Sequence, residues 1–551
     1  MKKFKLNILI AGALTLGIFS SCSDSFLNSV PKSQLLDENF YKTEADAEMA
    51  LVGCYDGYQL TSSGFPIYMV AEVASDECFG GTGANDGRGY QMIDRLDKSQ
   101  SPADNNVFND TWSKYYKAIF RCNNLLQKLP TISSWKSTDT TVVAKTKKRI
   151  EGETRFLRAL MYFDLVRLFE NVPLLTSPSV DNIPQANPSD VYKLIASDLK
   201  FAATNIPANA YPKAQAATND GRVTRYAAEA LLARVYLFYT GYYAKDDLGV
   251  TKPEVLAGLE DVVASKEFDT IPYKTLWPAA SYIPVPATNT LNKSGYAGKG
   301  NKEVVFAQKF NSTSDYSGNV DGNGWLVMMG MRGTNFSPYG KGWGGCTVNP
   351  QLVNAYLAGD KRKTASVIDL VGEKDKDGKT IESFFNIPDQ REYTGFTVKK
   401  YSPTALPDGT SDTGGSKDFQ SSQDQDYIQI RYADVLLMAA ELGSPNAVAY
   451  FNQVHQRAGL TAVASVSLSD IQTERRFEFA FEGIRYWDLL RTGLDNAANA
   501  IAASAQTVKS AGIDDHVTYN VNTIKLTKGF MQIPNTQITL SGGVLKQNQG
   551  W

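Results

Sequence analysis

Residues 75–90 combine glycines with planar polar and aromatic side chains. The glycines let the backbone approach a ligand closely, because they carry no side chain. Amide, carboxylate and guanidinium groups form paired hydrogen bonds with neighbouring hydroxyls, and aromatic rings offer flat faces to C–H groups. A sugar presents both kinds of surface, so the pattern predicts a glycan contact. The residues predicted to form this contact are Phe79, Asn85, Asp86, Arg88 and Tyr90.

A second block of similar composition covers residues 321–343 and places two tryptophans among glycines. Tryptophan combines a large flat apolar surface with one polar N–H group, which suits it to a binding platform. We predict Trp325 as the exposed platform, with Trp277 and Tyr282 as further aromatic contacts. Trp343 has two interpretations: it belongs to the same platform, or it packs in the core just before the next helix.

Arginine and glutamate recur at one-turn spacing in the helical segments, as in Glu151 with Arg155 and Glu474 with Glu478. Such groups have a catalytic interpretation, as general acids and bases, and a structural one, as ion pairs that hold packed helices in register. The sequence favours the structural interpretation, because nothing that flanks these residues resembles a pocket. A hydrolase would need two carboxylates that face each other across a cleft, which a linear sequence does not reveal.

The remaining reactive residues match no catalytic or metal-binding motif. His455 and His516 have no nucleophile or ligand partner nearby in the sequence, and there is no H-E-x-x-H, G-x-S-x-G or Walker A pattern. The cysteines after residue 22 are spaced too irregularly for a zinc site, although Cys78 and Cys346 are candidates for a disulfide bond. The sequence therefore predicts no enzyme, no metal site and no cofactor, and it leaves a structural calcium ion open.

The N-terminus has the features of an export signal. Three lysines precede an apolar stretch, and small residues lead directly to Cys22. This order predicts a lipoprotein signal over residues 1–21, a lipid on Cys22 and a tether over residues 22–36. An ordinary secretory peptide with a chance cysteine is the alternative. No later segment is long and apolar enough to cross a bilayer, so the sequence predicts a protein that is anchored to a membrane without spanning it.

Charge excludes some classes of partner. Removing the signal takes away three of the 56 basic residues, which leaves 53 against 58 acidic residues and a net charge of −5. A mildly acidic chain without a basic run is a poor nucleic-acid binder, so no nucleic-acid partner is predicted. The same lack of a polybasic patch leaves the lipid as the attachment to the membrane.

Helical periodicity dominates both ends of the chain. Residues 151–170 are apolar almost all round, which predicts a helix that is packed on every side. Residues 272–430 lose the helical period and are rich in Gly, Asn, Asp and Ser. We predict a mainly α fold with three parts. These are a tetratricopeptide-like helical solenoid scaffold (37–271), a loop-rich ligand-binding insertion with a few short strands (272–430), and C-terminal helices and a tail that pack on the scaffold (431–551).

Three segments carry a resemblance to a known family. Residues 152–166 are GETRFLRALMYFDLV, residues 431–439 are RYADVLLMA, and residues 474–489 are ERRFEFAFEGIRYWDL. They closely resemble the signature segments of the SusD/RagB family, which are surface lipoproteins of Bacteroidetes-type nutrient-uptake systems. Smaller matches extend the resemblance over the mature chain. The chain departs from the family pattern at His455, in a scaffold segment where an arginine is usual.

The resemblance implies a function and a set of partners. It implies a glycan-binding lipoprotein at the cell surface, anchored in the outer membrane, that captures an oligosaccharide or polysaccharide. The captured glycan would pass to a SusC-like TonB-dependent barrel, which the protein caps as a hinged lid. The resemblance does not decide whether the ligand is a β-glucan or another plant or host polysaccharide. Two alternatives also stay open: peptide capture, as in RagB-type members, and, from a different class, a tetratricopeptide-type adaptor that binds only protein.

Overall fold

The computed structural model describes residues 40–551, except for residues 63, 180, 214–220, 314–320, 376 and 415–417. The predicted signal, Cys22 and the predicted tether lie outside the described residues. Helices make up about 47% of the chain and the strands are few and short, so the prediction of a mainly α fold is confirmed. Within the described ranges, no helix has both the length and the apolar character needed to cross a membrane.

Long helices form the first half of the chain, and side chains cap their first turns. The helices are α1 (Glu44–Leu60), α2 (Ile67–Val73), α3 (Gly89–Asp94), α4 (Asn109–Lys128), α5 (Thr140–Phe169), α6 (Pro188–Asn205), α7 (Arg225–Tyr243) and α8 (Lys252–Ala264). Thr43 and Asp46 form a capping box at the start of α1, and the Asp139 carboxylate accepts the backbone N–H of Thr141 at the start of α5.

Short elements follow α8, in the part of the chain that is rich in glycine. They are α9 (Pro278–Ser281), β2 (Ile283–Val285), β3 (Thr290–Asn292), β4 (Val304–Gln308), α10 (Gly324–Met329), β5 (Met331–Arg332), β6 (Lys341–Gly342), β7 (Gly345–Val348), α11 (Pro350–Ala355), α12 (Lys361–Ser366), β8 (Val367–Asp369) and β9 (Phe396–Val398). The first strand, β1 (Cys78–Gly81), lies earlier in the chain, between α2 and α3.

Helices return in the C-terminal part. Its elements are β10 (Tyr427–Arg431), α13 (Tyr432–Glu441), α14 (Ala447–Arg457), α15 (Leu468–Glu478), α16 (Arg485–Leu490), α17 (Leu494–Ala503), β11 (Gln506–Ser510), β12 (Ile513–Val517), α18 (Val521–Leu526) and α19 (Asn535–Leu540). The described strands pair in twos: β1 with β7, β2 with β3, β4 with β10, β5 with β6, β8 with β9 and β11 with β12. The β5–β6 pair is parallel, whereas the β1–β7 pair is antiparallel and joins the first loop block singled out from the sequence to the strand that follows the second block.

The long helices pack in series as a solenoid. Helix α1 lies against α4, α4 against α5, α5 against α6, α6 against α7 and α7 against α8. Helix α8 then packs against α13, which packs against α14. The solenoid thus continues from the first half of the chain into the C-terminal part, and the loop-rich segment leaves it after α8 and rejoins it before α13.

One large hydrophobic core runs through the solenoid. Phe156, Leu160 and Phe163 of α5 belong to it and are almost completely buried. Every residue from Phe156 to Phe169 is buried, which confirms the prediction of a helix packed on all sides.

Truncating this core should be costly. We expect Leu160→Ala to lower the free energy of unfolding by about 2–5 kcal/mol, because the surrounding helices cannot close the cavity completely. Denaturant unfolding followed by circular dichroism measures the loss. Met49→Ala, at a position of α1 that is 51% exposed, is the control and should change stability by less than about 0.5 kcal/mol. A loss at Leu160 no larger than that of the control would contradict the packing described here.

Arginine and glutamate from separate sequence motifs meet in the interior. Arg431, at the end of β10, forms ion pairs with Glu303 at 2.7 Å, Glu478 at 2.5 Å and Glu482 at 2.7 Å. Arg457 pairs with Glu303 at 2.6 Å. All five side chains are buried, so each charge depends on the others for its stabilisation.

The other charged residues noted in the sequence also form ion pairs. Glu474 pairs with Arg362 at 2.6 Å, and Arg155 pairs with Glu151 at 2.7 Å. Arg155 also reaches Asp198 of α6 at 3.1 Å, which ties α5 to its neighbour. The structural interpretation of these residues, as ion pairs that fix helix packing, is confirmed.

Candidate functional site

The loop after β1 lies beside the second glycine-rich block. Because β1 pairs with β7, the backbone N–H of Thr82 donates to the carbonyl of Gly344 at 2.7 Å. On the other side, the N–H of Arg391 donates to the carbonyl of Thr82 at 2.9 Å. Three segments that are far apart in the sequence therefore meet at residues 82–88.

A buried carboxylate supports this loop from below. Glu392 accepts the N–H of Gly81 at 2.9 Å and the side-chain amide of Gln91 at 2.9 Å, and it forms an ion pair with Arg95 at 2.5 Å. Its side chain is 1% exposed, so these bonds do not compete with water. The loop is consequently held at both ends, at Gly81 before it and at α3 after it.

Arg391 fixes the shape of the loop. Its Nη2 donates to the carbonyls of Ala84 at 2.7 Å and Asp86 at 2.9 Å, and its Nη1 donates to the carbonyl of Gly87 at 3.2 Å. One guanidinium group thus gathers three carbonyl groups of a four-residue turn. The side chains of Asn85, Asp86 and Arg88 are left exposed on the outer face of that turn. These three predicted contact residues are therefore accessible to a ligand.

Arg332, at the end of β5, joins the loop to Trp343. Its guanidinium forms an ion pair with Asp86 at 2.9 Å and donates to the carbonyl of Trp343 at 3.3 Å. It lies flat against Gly83, where a Cβ atom would come within 2.0 Å of Nη2. A side chain at this position would displace the guanidinium from its present place.

Trp343 is 40% exposed, which decides between its two interpretations in favour of a surface position. Its backbone is fixed, because its N–H donates to the carbonyl of Val327 at 2.7 Å and the next N–H, of Gly344, donates to Gly330 at 2.9 Å. A fixed backbone with an exposed indole ring is a preorganised flat surface.

A second exposed aromatic group lies near Arg332. The ring of Phe384, 46% exposed, packs edge-on against Phe336 at a centroid distance of 5.8 Å. The hydroxyl of Thr334, two residues after Arg332, donates to the carbonyl of Phe384 at 3.2 Å. Aromatic surface therefore extends beyond Trp343.

The prediction that Trp325 is the exposed platform is wrong. Trp325 lies in α10 and is 1% exposed, with its ring packed against Tyr68 at 4.3 Å, Tyr401 at 4.6 Å and Tyr427 at 5.3 Å. Glycines next to it indicated an exposed loop, but they precede a short helix whose apolar face turns inward. Trp325 is a core residue.

Two further predicted contacts are also buried. Trp277 is 0% exposed and lies 4.6 Å from the ammonium group of Lys400. Phe79 is 0% exposed because β1 is covered by Val508 and Val517 of the β11–β12 hairpin. Neither ring can contact a ligand in this structure, so both predictions are corrected.

The remaining two aromatic predictions have intermediate positions. Tyr90 is half-buried at the start of α3, edge-on to Phe65 at 4.9 Å, and burial raises the pKa of its hydroxyl. Tyr282 is half-buried next to Tyr296 at 6.0 Å and beneath the ammonium group of Lys293 at 5.1 Å. Tyr90 therefore supports the loop from one side, whereas Tyr282 belongs to the neighbouring β2–β3 hairpin.

The structure also reports on the cysteines and on metal ligands. Cys78 and Cys346 lie on the paired strands β1 and β7, and both are buried free thiols. Burial and a hydrogen bond with Cys346 raise the pKa of Cys78 well above its usual value. Among the residues that the structure describes, no group of three or more His, Cys, Asp or Glu side chains is arranged to hold a metal ion.

Sequence reasoning missed four residues that shape this site: Arg332, Phe384, Arg391 and Glu392. A signal was available for the last three. Residues 384–393 mix aromatic, proline and charged residues in the same manner as the two blocks that were singled out. Chemically, the assembled surface offers a flat indole ring beside carboxylate, amide and guanidinium groups, which is the combination that contacts both faces and edges of a polar ring.

Two family models match the chain. A model described as "SusD family" matches residues 386–551, and one described as "Starch-binding associating with outer membrane" matches residues 76–237. A SusD-like protein of Formosa agariphila is 25% identical over 89% of this chain and 92% of its own length. A SusD-like protein of Bacteroides ovatus is 24% identical over 89% of this chain and 83% of its own length.

Solved structures share the fold. A laminarin-binding SusD-like protein is 28% identical, with a TM-score of 0.68 over 93% of this chain and 100% of its own. Surface glycan-binding protein A from Bacteroides thetaiotaomicron, solved with laminarihexaose, is 21% identical, with a TM-score of 0.71 over 93% of this chain and 100% of its own. Both family models, the relatives matched over most of their length and the shared fold agree, and the chain belongs to the SusD/RagB family.

Proposed function

We propose that this protein is a glycan-binding lipoprotein of the cell surface that captures an oligosaccharide or polysaccharide. One observation supports the proposal most strongly: Trp343, 40% exposed, is joined through its backbone carbonyl to Arg332, which forms an ion pair with Asp86. A sugar ring could stack its C–H face on the indole while its hydroxyls bond to Asp86, Asn85 and Arg88 at the edge. Peptide capture does not require this pairing of a flat ring with bidentate polar groups.

The relatives support a glycan as the ligand. One of the similar solved structures is of a protein that binds laminarin, and one of the matching family models is described as starch-binding. Laminarin and starch are both glucose polymers, so the family resemblance agrees with the chemistry of the Trp343 surface. We propose a polysaccharide without committing to one sugar from these two names.

Trp343→Ala tests the platform. We expect affinity for an identified glycan to fall about 5- to 150-fold, by analogy with the 1–3 kcal/mol commonly lost on truncating an interface aromatic residue. Stability should change little, because the ring is not part of the core. Isothermal titration calorimetry and thermal melting on the same variant measure both quantities.

Phe120→Ala is the matched control, since Phe120 is also 40% exposed but lies on α4 of the solenoid. It should bind like the unaltered protein. Unchanged affinity of Trp343→Ala, or an equal loss in both variants, would contradict the assignment of the platform.

The ligand itself is identified by screening. The mature domain without its lipid should be tested on glycan microarrays and in gels that contain single polysaccharides, with peptide libraries in parallel. Retardation by a polysaccharide supports the proposal. Binding confined to peptides would instead support the RagB-type alternative, and binding confined to another protein would support the adaptor alternative.

We also propose attachment to the outer membrane through a lipid on Cys22 and delivery of the glycan to a SusC-like TonB-dependent barrel. The sequence that precedes Cys22 and the family model described as associating with the outer membrane support this location. No catalytic step is part of the proposal; the glutamates that the sequence singled out, Glu474 and Glu478, are held in ion pairs. Co-purification of a tagged copy with a TonB-dependent barrel tests the partner.

Cys22→Ala tests the anchor. We expect the variant to fold but to leave the membrane fraction, because no acyl chain remains to hold it. Fractionation followed by immunoblotting measures the distribution. A Ser21→Ala variant keeps a small residue before the cysteine and should remain membrane-bound. Undiminished membrane attachment of Cys22→Ala would contradict the proposed lipid anchor.

A further inference from the structure

Nearly every arginine in this protein has a carboxylate partner. The structure describes all arginines of the chain, and all but two have a carboxylate oxygen of a described residue within 4.0 Å of the guanidinium. The two exceptions are Arg88, in the loop after β1, and Arg391, whose guanidinium binds the backbone of that loop. In a chain that pairs its guanidinium groups so consistently, two arginines without a directly paired carboxylate at one surface favour an anionic ligand there.

Arg88 has free donors. Among the described residues its hydrogen bond runs from Nη2 to the side-chain carbonyl of Gln100 at 3.0 Å, and the residue is exposed. Its Nε and Nη1 groups are therefore available to an incoming acceptor. A guanidinium group presents its donors in a fork that matches a carboxylate or a sulfate.

Arg391 supplies charge rather than free donors. Its bonds go to backbone carbonyls, including that of Gly87, the residue before Arg88, and to the side-chain carbonyl of Gln91 at 3.3 Å. None of these acceptors carries a negative charge. Burial and the positive charge of Arg88 lower its pKa, and the carboxylates of Glu392 and Asp86 oppose this shift without cancelling it.

The nearby carboxylates are engaged elsewhere. Asp86 pairs with Arg332 at 2.9 Å, and Asp389 lies 4.0 Å from the same guanidinium. Glu392 is buried and pairs with Arg95. The exposed face of the loop thus carries more positive than negative charge.

We propose that the ligand of this surface is an anionic glycan, with a carboxylate or a sulfate ester bound at Arg88 in the positive field of Arg391 and next to the Trp343 ring. This inference rests on the proposed function and narrows its ligand class. A uronic acid and a sulfated sugar present the same forked oxyanion, and the experiment below distinguishes them.

Calorimetric titration of the mature protein with matched probes tests the inference. One pair is oligogalacturonate and the same oligosaccharide with its carboxylates reduced to alcohols; the other is a sulfated galactan oligosaccharide and its desulfated form. We expect the charged member of one pair to bind about tenfold more tightly than its neutral counterpart. Raising NaCl from about 50 mM to about 500 mM should reduce that advantage, because salt screens exposed charges. The pair that shows the difference identifies the anion.

Arg88→Gln should lower affinity for the charged probe about fivefold or more, and by a larger factor than it lowers affinity for the neutral probe. Arg121→Gln removes an exposed arginine on α4 that pairs with Asp56, so it serves as the control for net charge and should have no effect.

The outcomes separate this inference from the proposed function. If a neutral glycan binds in a manner that depends on Trp343 while neither charged probe binds more tightly than its neutral form, the inference is overturned and the proposed function stands. If charged probes bind equally well to Arg88→Gln, the inference is also overturned. If no charged or neutral polysaccharide binds at all, both are overturned.

Discussion

Arg431→Ala is expected to lose most of the stability of the fold. Arg431 is 1% exposed and contacts three carboxylates, those of Glu303, Glu478 and Glu482. Removing one partner from a buried ion pair commonly costs about 3–5 kcal/mol, because the remaining charge is left without compensation. Here three carboxylates lose a partner, so we expect a loss of about 5 kcal/mol. Whole domains are stable by only about 5–15 kcal/mol.

Denaturant unfolding of purified protein measures this loss of stability. Two further variants serve as comparisons. Arg431→Lys keeps the charge but loses the fork of donors, so it should be intermediate. Arg121→Ala removes an exposed pair with Asp56 and should cost at most about 1 kcal/mol. If Arg431→Ala loses no more stability than Arg121→Ala, the stabilising role of the buried ion pairs of Arg431 is contradicted.

The buried ion pairs around Arg431 and Glu478 also predict that the free energy of unfolding depends on pH in the acid range. Burial opposes ionisation of Glu478, but the charges of Arg457, Arg431 and Arg362 outweigh it and lower its pKa to about 2, from an ordinary value of 4.5. A carboxyl with a lowered pKa stabilises the fold above pH 4.5 and loses that contribution as the pH falls toward 2. The free energy of unfolding should therefore decline over this range, and less steeply in Arg431→Lys.

Trp325→Ala is expected to destabilise the protein by about 3–5 kcal/mol, because it leaves a large cavity among Tyr68, Tyr401 and Tyr427. This is the behaviour of a core residue and the opposite of what a binding platform would show. Thermal and denaturant unfolding measure the effect.

A conservative variant separates packing from binding at this position. Trp325→Phe should recover much of the stability, since it refills part of the cavity, and should bind glycan like the unaltered protein. A stable Trp325→Ala variant that has lost glycan affinity would contradict the core assignment.

The contrast between Trp325 and Trp343 shows what a sequence can and cannot predict. Periodicity predicted the buried helix α5, and family motifs predicted the fold, because both patterns are local and repeat along the chain. Both tryptophans lie among glycines, however, and glycine indicates an irregular backbone without indicating which way a neighbouring ring points. The short helix α10 turns Trp325 inward, whereas the connection between β6 and β7 leaves Trp343 at the surface. The domain boundaries drawn from composition stay a prediction.

The polar part of the site depended on contacts that no local pattern encodes. Asp86 and Arg88 were predicted from their own loop, but Arg332 lies 246 residues from Asp86, and Arg391 lies 305 residues from it. Their contact follows from the pairing of β1 with β7 and from the approach of residues 389–392. A single sequence contains no signal for those pairings, so the contacts of Arg332 and Arg391 with the loop became visible only in the folded chain.

A crystal structure of the mature domain with a bound oligosaccharide identified by screening tests the central claim most directly. We expect one sugar ring to stack on Trp343 at van der Waals distance, with hydrogen bonds between that sugar or its neighbour and Asp86, Asn85 or Arg88. A well-ordered oligosaccharide bound elsewhere, for example in the groove between α1 and β4 that Tyr55, Arg222 and Phe306 line, with the Trp343 surface empty, would contradict it.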